Sequence, residues 1–202
     1  MKPVSILRKS APFVVVMSLA LSGCQNTVQV QKLPELTFSH LTPIHLTISS
    51  IDVAEDYKSP MSAPNVEHTF PTPPMVALNN WAASRLKASG PSSKDRAVLV
   101  ITDASVIETS LKRDTSLKGT FTKQQTEKYT LTISAHLDII GQNGSRKASA
   151  TTTTSRSTTV GEDLSINERE KLLHGTTEAL INDFDQKMNA SIQQYLRTWV
   201  QN

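Results

Sequence analysis

The chain of 202 residues contains one cysteine, Cys24. No intrachain disulfide can form, and stability must come from packing. Aromatic residues make up only 5% of the chain, which argues against a surface for stacking sugars or bases. A surplus of charge is also missing where it matters. Three of the 21 basic residues (Lys2, Arg8, Lys9) precede Cys24 and none of the 18 acidic ones does. The chain from Cys24 onward therefore balances 18 against 18, which offers no support for binding nucleic acid or an anionic membrane. There is no GxSxG, no Gly-rich phosphate loop and no HExxH. The five histidines (His40, His45, His68, His136, His174) are scattered singly, without the spacing of metal ligands. No catalytic residue, metal or cofactor is expected. The nearest approach to chemistry is His136 with Asp138 on the polar side of a strand; a hydrolase would still need a nucleophile such as Ser134.

What is present is concentrated at the start. A basic head (Lys2, Arg8, Lys9) leads into the uncharged stretch from Ala11 to Ser22, rich in Val, Leu, Phe and Met. It is too short to span a bilayer, which takes about 20 apolar residues. Head, apolar segment and small residues at the cut are the layout of a secretory signal peptide. The ending Leu21-Ser22-Gly23-Cys24 resembles the lipobox of bacterial lipoproteins. That resemblance implies acylation of the Cys24 thiol and cleavage before it, leaving Cys24 as the first residue. Stable anchoring takes more than one chain, and the diacylglyceryl and N-acyl groups of such lipoproteins supply that. Gln25 stands where an aspartate retains enteric lipoproteins on the inner membrane, so outer-membrane sorting is expected. The domains expected are a signal peptide over 1–23, a lipidated flexible tether over 24–42 and one domain over 43–202.

Alternation over Ile44-His45-Leu46-Thr47-Ile48-Ser49 predicts a strand whose phase slips near Ser50, before Ile51 and Val53, at a bulge or a strand end. Tyr57 to Pro74 holds five of the ten prolines, which excludes regular structure. With Tyr57, His68 and Phe70 it is either a loop packed on the domain or a stiffened segment that docks a partner. Thr72 before Pro73 and Pro74 predicts a helix start, Met75 to Leu86 one apolar face, and Gly90-Pro91 the helix end. Ala97 to Ile101 predicts a strand covered on both faces, or a central one. Tyr129-Leu131-Ile133-Ala135-Leu137-Ile139 alternates without a miss, a strand with one buried face.

Asn143-Gly144 predicts a two-residue hairpin with Gln142 paired to Ser145. That register sets Ile139 opposite Ala148, Leu137 opposite Ala150, Ala135 opposite Thr152 and Ile133 opposite Thr154. Large residues then face small ones, which leaves room for a helix or for a bound lipid. The next pair, Leu131 with Arg156, is unfavourable on a core face, so the strand is expected to bulge or leave the sheet there. Ser165 and Glu168 form a capping box. The helix they open runs some 30 to 35 residues, about 50 Å. Such a helix lies on its own sheet, breaks, or projects and offers Tyr195, Leu196 and Trp199 to a partner.

The order strand, helix, strand, strand, strand, long helix predicts an α+β domain, with about four strands and two helices on one face. With the lipobox, this layout resembles small outer-membrane lipoproteins of envelope transport machines. These are the LptE-like lipoproteins beside a lipopolysaccharide-inserting barrel and the PqiC-like auxiliary lipoproteins of ABC-type and MCE lipid transporters. Tyr129 to Ile139 followed by Gly141 and a polar hairpin resembles the latter most. The resemblance implies a non-enzymatic, periplasm-facing accessory subunit of an envelope complex, docking through Tyr57, His68, Phe70, Tyr195 or Trp199. A carrier holding a lipid between helices and sheet is the alternative.

Overall fold

The computed structural model describes residues 33–112 and 124–201; the lipobox, most of the tether and the loop around Gly119 and Phe121 lie outside them. The chain runs β1 (Ile44–Leu46), β2 (Ile51–Glu55), a short 3-10 turn (Glu67–Thr69), α1 (Pro74–Arg85) and β3 (Leu86–Ala88). There follow β4 (Arg96–Ser110), β5 (Gln125–Ile140), β6 (Arg146–Gly161), α2 (Ile166–Tyr195) and a last 3-10 turn (Arg197–Trp199). The fold is α+β. Its main sheet has the order β2-β4-β5-β6, with β2 parallel to β4 and the other pairs antiparallel. A smaller parallel pair joins β1 to β3.

The alternating residues of β5, from Tyr129 to Ile139, are all buried on one sheet face. Both helices cover that face. Trp81 of α1 meets Phe184 of α2 edge-on, with ring centroids 5.0 Å apart, and Leu173, Leu180, Met188 and Ile192 extend the buried stripe of α2. Trp81 is fully buried, and its loss to alanine would cost about 3–5 kcal/mol. In β4 a bulge at Thr102 shifts the parity, so Ile101 and Ala104 both face the core. That shift is why the alternation blurs past Asp103 in the sequence.

The expected β5–β6 register is present from Ile139↔Ala148 through Ile133↔Thr154. The turn that sets it differs. Gly141 N–H donates to Ser145 O at 2.9 Å, and only Gly144 has a positive φ (78°). This is a three-residue loop, and a one-residue shift at Ile139/Ile140 restores the register. Nor does β6 leave the sheet at Arg156. It stays paired with Leu131 because its guanidinium reaches Asp183 of α2, with Nη2 to Oδ2 at 2.7 Å.

The phase slip near Ser50 is a strand end, one of the two outcomes expected there, with β1 and β2 in different sheets on either side of it. Two further expectations are corrected. Helix α1 stops at Arg85, before Gly90-Pro91. Leu86-Lys87-Ala88 instead pair with Ile44-His45-Leu46, and this non-local ladder overrides the helical pattern. Thr72 does not cap α1 either; its hydroxyl bonds His174 Nδ1 at 2.9 Å. By contrast Ser165 and Glu168 form the capping box at the start of α2, with Ser165 N–H donating to Glu168 Oε2 at 2.9 Å. Packing also begins ahead of Pro43, since Leu36 and Phe38 are buried in the core.

Candidate functional site

The proline-rich segment between β2 and α1 is built onto the edge of β4. Strand β2 pairs only with Ala97 to Ile101, which leaves the later residues of that edge open. An uncovered edge invites unwanted pairing. The loop closes it: Val66 N–H donates to Val106 O, and Glu108 N–H to Pro64 O, each at 2.9 Å. The Glu67 side chain continues the ladder by accepting from Val106 N–H at 3.2 Å.

Glu67 is 5% exposed. Its other oxygen accepts from the Tyr57 hydroxyl at 2.7 Å, and Asn65 Nδ2 donates to that hydroxyl at 3.3 Å. Burial alone would raise the Glu67 carboxyl. Hydrogen bonds from Ser59, Tyr57 and backbone N–H groups outweigh it and hold the group below its ordinary value. Tyr57 is pushed the other way, well above its usual range, by burial first and then by its bond to the carboxylate. Above Glu67 opens a cleft of about 290 Å³, walled by Tyr57, Pro73, Met75 and Ala104, with Glu55, Lys58 and His68 also in its lining. Two residues singled out in the sequence, Tyr57 and His68, thus meet in one place. Phe70 does not join them. It is buried, with its ring edge-on to Tyr129 at 5.6 Å between centroids.

The C-terminal candidates lie elsewhere. Leu196 is fully buried and Tyr195 is 57% exposed. Trp199 is half-buried, and its Nε1 donates to Asp95 Oδ2 at 3.0 Å. The end of the chain is sewn to β1 by Thr47 N–H to Trp199 O (2.7 Å) and Gln201 N–H to His45 O (2.9 Å). The helix therefore neither breaks nor projects. Asp95 stands at the start of β4 and Val106 eleven residues on, so the two candidate regions are about 35 Å apart along the strand.

Ser134, His136 and Asp138 share the helix-free face of β5. His136 Nε2 lies 3.6 Å from Asp138 Oδ2, and Asp138 accepts from Ser149 Oγ at 2.6 Å. Ser134 is bonded to Thr153 at 2.9 Å, one rung of a hydroxyl ladder with Thr132–Ser155 and Thr130–Ser157. The hydroxyl a nucleophile would need is engaged across the strands, not with His136. The small residues of β6 face a helix: Thr152 Oγ1 lies 3.8 Å from Met188 Sδ and 3.5 Å from Ser191 Oγ. Among the described residues no helix is long and apolar enough to cross a membrane.

Glu67 was not singled out from sequence. A lone acid in a proline-rich stretch reads as solvated surface, and the only hint is its place between Val66 and His68.

No protein-family model and no curated protein matches the chain. Solved structures do. The chain is similar to a minor lipoprotein from Acinetobacter baumannii, at 13% identity and TM-score 0.36, over 78% of this chain and 98% of that one. It is similar to rare lipoprotein B from Shewanella oneidensis, at 11% identity and TM-score 0.35, over 72% and 95%. It is also similar to lipoprotein GNA1162 from Neisseria meningitidis, at 12% identity and TM-score 0.25, over 68% and 99%. All three are bacterial lipoproteins.

Proposed function

We propose that the chain is a non-enzymatic lipoprotein, anchored through Cys24 in the outer membrane and facing the periplasm. Its role is that of an accessory or assembly subunit of an envelope complex that moves lipid, lipopolysaccharide or another ABC-transported substrate. The observation that carries the reading is Leu21-Ser22-Gly23-Cys24, placed behind a basic head and an apolar run that is too short to span. Gln25 after the cysteine favours the outer membrane. The folded domain supports a binding role: it presents the Glu67 cleft at one end of β4 and exposed Tyr195 near the other. The space over Ala150 and Thr152 is taken up by α2, so the geometry favours a docking protein over a lipid carrier.

The test begins with Cys24→Ser, which should abolish palmitate labelling and release the protein from the membrane fraction. Crosslinked pull-down of the lipidated protein from solubilised envelopes should then recover transporter or barrel subunits. Recovery of the protein alone with stoichiometric lipid would overturn the accessory reading in favour of a carrier.

A further inference from the structure

We propose that the cleft over Glu67 receives one basic side chain, a lysine or an arginine, from a protein partner. The proposal rests on the accessory-subunit reading and names the chemistry of its contact.

Three acidic residues are buried among the described residues: Glu67, Asp138 and Asp185. Two of them have cations. Asp185 holds Arg85 at 2.6 Å, and Asp138 has Arg146 at 3.4 Å and His136 at 3.6 Å. Among the described residues Glu67 has only neutral donors, the Tyr57 hydroxyl, the Val106 N–H, Ser59 and its own backbone N–H. A buried charge without a counter-charge is costly, and buried charges are normally paired.

Holding the loop does not require that charge. Backbone bonds from Val66 and to Pro64 already fasten it to β4, and a glutamine would offer Val106 the same carbonyl acceptor. What the carboxylate adds is an anion at the floor of a cleft. Its donors are all neutral, so a cationic N–H entering from the cleft would meet a carboxylate that keeps its full charge. The walls suit the rest of such a side chain. Pro73, Met75, Ala104 and the Tyr57 ring present apolar surface to an aliphatic stem, as long basic side chains prefer. A cleft of about 290 Å³ has room for one side chain of this length. At the mouth Lys58 is exposed, with its ammonium turned onto the Glu55 carbonyl at 3.0 Å. It is the one lysine of a lining that also holds Glu55, and it opposes the approach of a cation.

The test uses the full chain in detergent micelles, with NMR signals from the Met75 methyl and the Val106 amide. The probes are the Nα-acetyl N-methylamides of lysine, arginine and norleucine. The two basic amides should give saturable shifts at both reporters, with norleucine at least fivefold weaker. Glu67→Gln should abolish the difference between basic and neutral probes, and Lys58→Glu should tighten the basic ones severalfold. Should Glu67→Gln fail to fold, Lys58→Glu and salt decide: binding that neither tightens in that variant nor weakens as salt rises overturns the proposal. Equal shifts from norleucine, or none from any probe, overturn it as well. The two readings fail separately. Silent probes with envelope proteins still co-purifying sink the cleft alone. Probes that bind to a chain which co-purifies with nothing sink the accessory-subunit reading, and the protein partner with it.

Discussion

Arg85 of α1 donates its Nε–H to Asp185 Oδ1 of α2 at 2.6 Å, a buried ion pair joining two helices one hundred residues apart in sequence. Trp81 Nε1 donates to the same oxygen at 2.8 Å. One carboxylate thus satisfies two donors inside the helix interface, and removing it strands both. Breaking one side of a buried pair costs about 3–5 kcal/mol. Asp185→Ala should therefore lower the urea midpoint by an amount of that order, followed by tryptophan fluorescence. Asp185→Asn, which keeps an acceptor for Trp81, should lose less. A midpoint for Asp185→Ala close to the wild type would refute this account of the interface.

Gly175 sits within α2 with its outer side open, and a Cβ built there meets nothing within 4 Å. Glycine inside a helix is less favourable than alanine by about 0.8–1 kcal/mol. Gly175→Ala should therefore stabilise the domain, raising Tm by about 2–4 °C for a chain of this size. A calorimetric scan decides it; a lowered Tm would show that the position serves something other than helix continuity.

The parts of this fold that were legible in the sequence are those set by near neighbours. Alternation from Tyr129 to Ile139 gave the buried face of β5, and the register with Ala148, Ala150, Thr152 and Thr154 followed from the nearby turn. Even there the turn itself was misjudged by one residue, and the shift at Ile139/Ile140 hid the error. Ser165 and Glu168 announced α2 because a capping box is a local device. The pairing of Leu86-Lys87-Ala88 with Ile44-His45-Leu46 was invisible, since it depends on a strand some forty residues upstream. The site suffered in the same way. Tyr57 and His68 could be named from composition, yet the Glu67 carboxylate that unites them is revealed only by its bond to Val106, thirty-nine residues on. Phe70 looked like a docking aromatic because hydrophobicity alone cannot tell a buried ring from a presented one.

Gly90 is needed for a close approach, not for ending a helix. A Cβ at this position would lie 2.8 Å from the Thr47 carbonyl carbon and 2.9 Å from Ile48 N, both backbone atoms that cannot swing aside. Its own N–H donates to Ile48 O at 3.0 Å, so the two segments are held at that distance. Gly90→Ala should cost about 1–3 kcal/mol, the usual scale of overpacking. Thermal unfolding should show the loss, while Pro91→Ala at the exposed neighbouring position should change Tm far less. Equal Tm values for the two variants would remove the close approach as the reason for glycine here.

Asp95 ties the end of the chain to the sheet, and the tie should be sensitive to acid. Its carboxylate accepts from Lys147 Nζ at 2.6 Å and from Trp199 Nε1 at 3.0 Å. Lys147 first, then the Trp199 N–H, hold its carboxyl below the ordinary value. A carboxyl lowered in the folded state contributes stability that is fully present above the unfolded value, about 3.9, and is lost as pH falls through the lowered one. The Trp199 contact should therefore be unchanged from neutral pH down to about pH 4 and loosen below it. With 5-fluorotryptophan in the chain, 19F NMR separates Trp199 from buried Trp81. The Trp199 signal should move only under acid conditions in the wild type. In Asp95→Asn, which has no carboxyl to protonate, it should be displaced at neutral pH and insensitive to acid. Lys147→Ala removes the larger cause of the depression and should bring the transition to higher pH. A Trp199 signal that titrates identically in all three chains would mean that Asp95 does not govern the C-terminal contact.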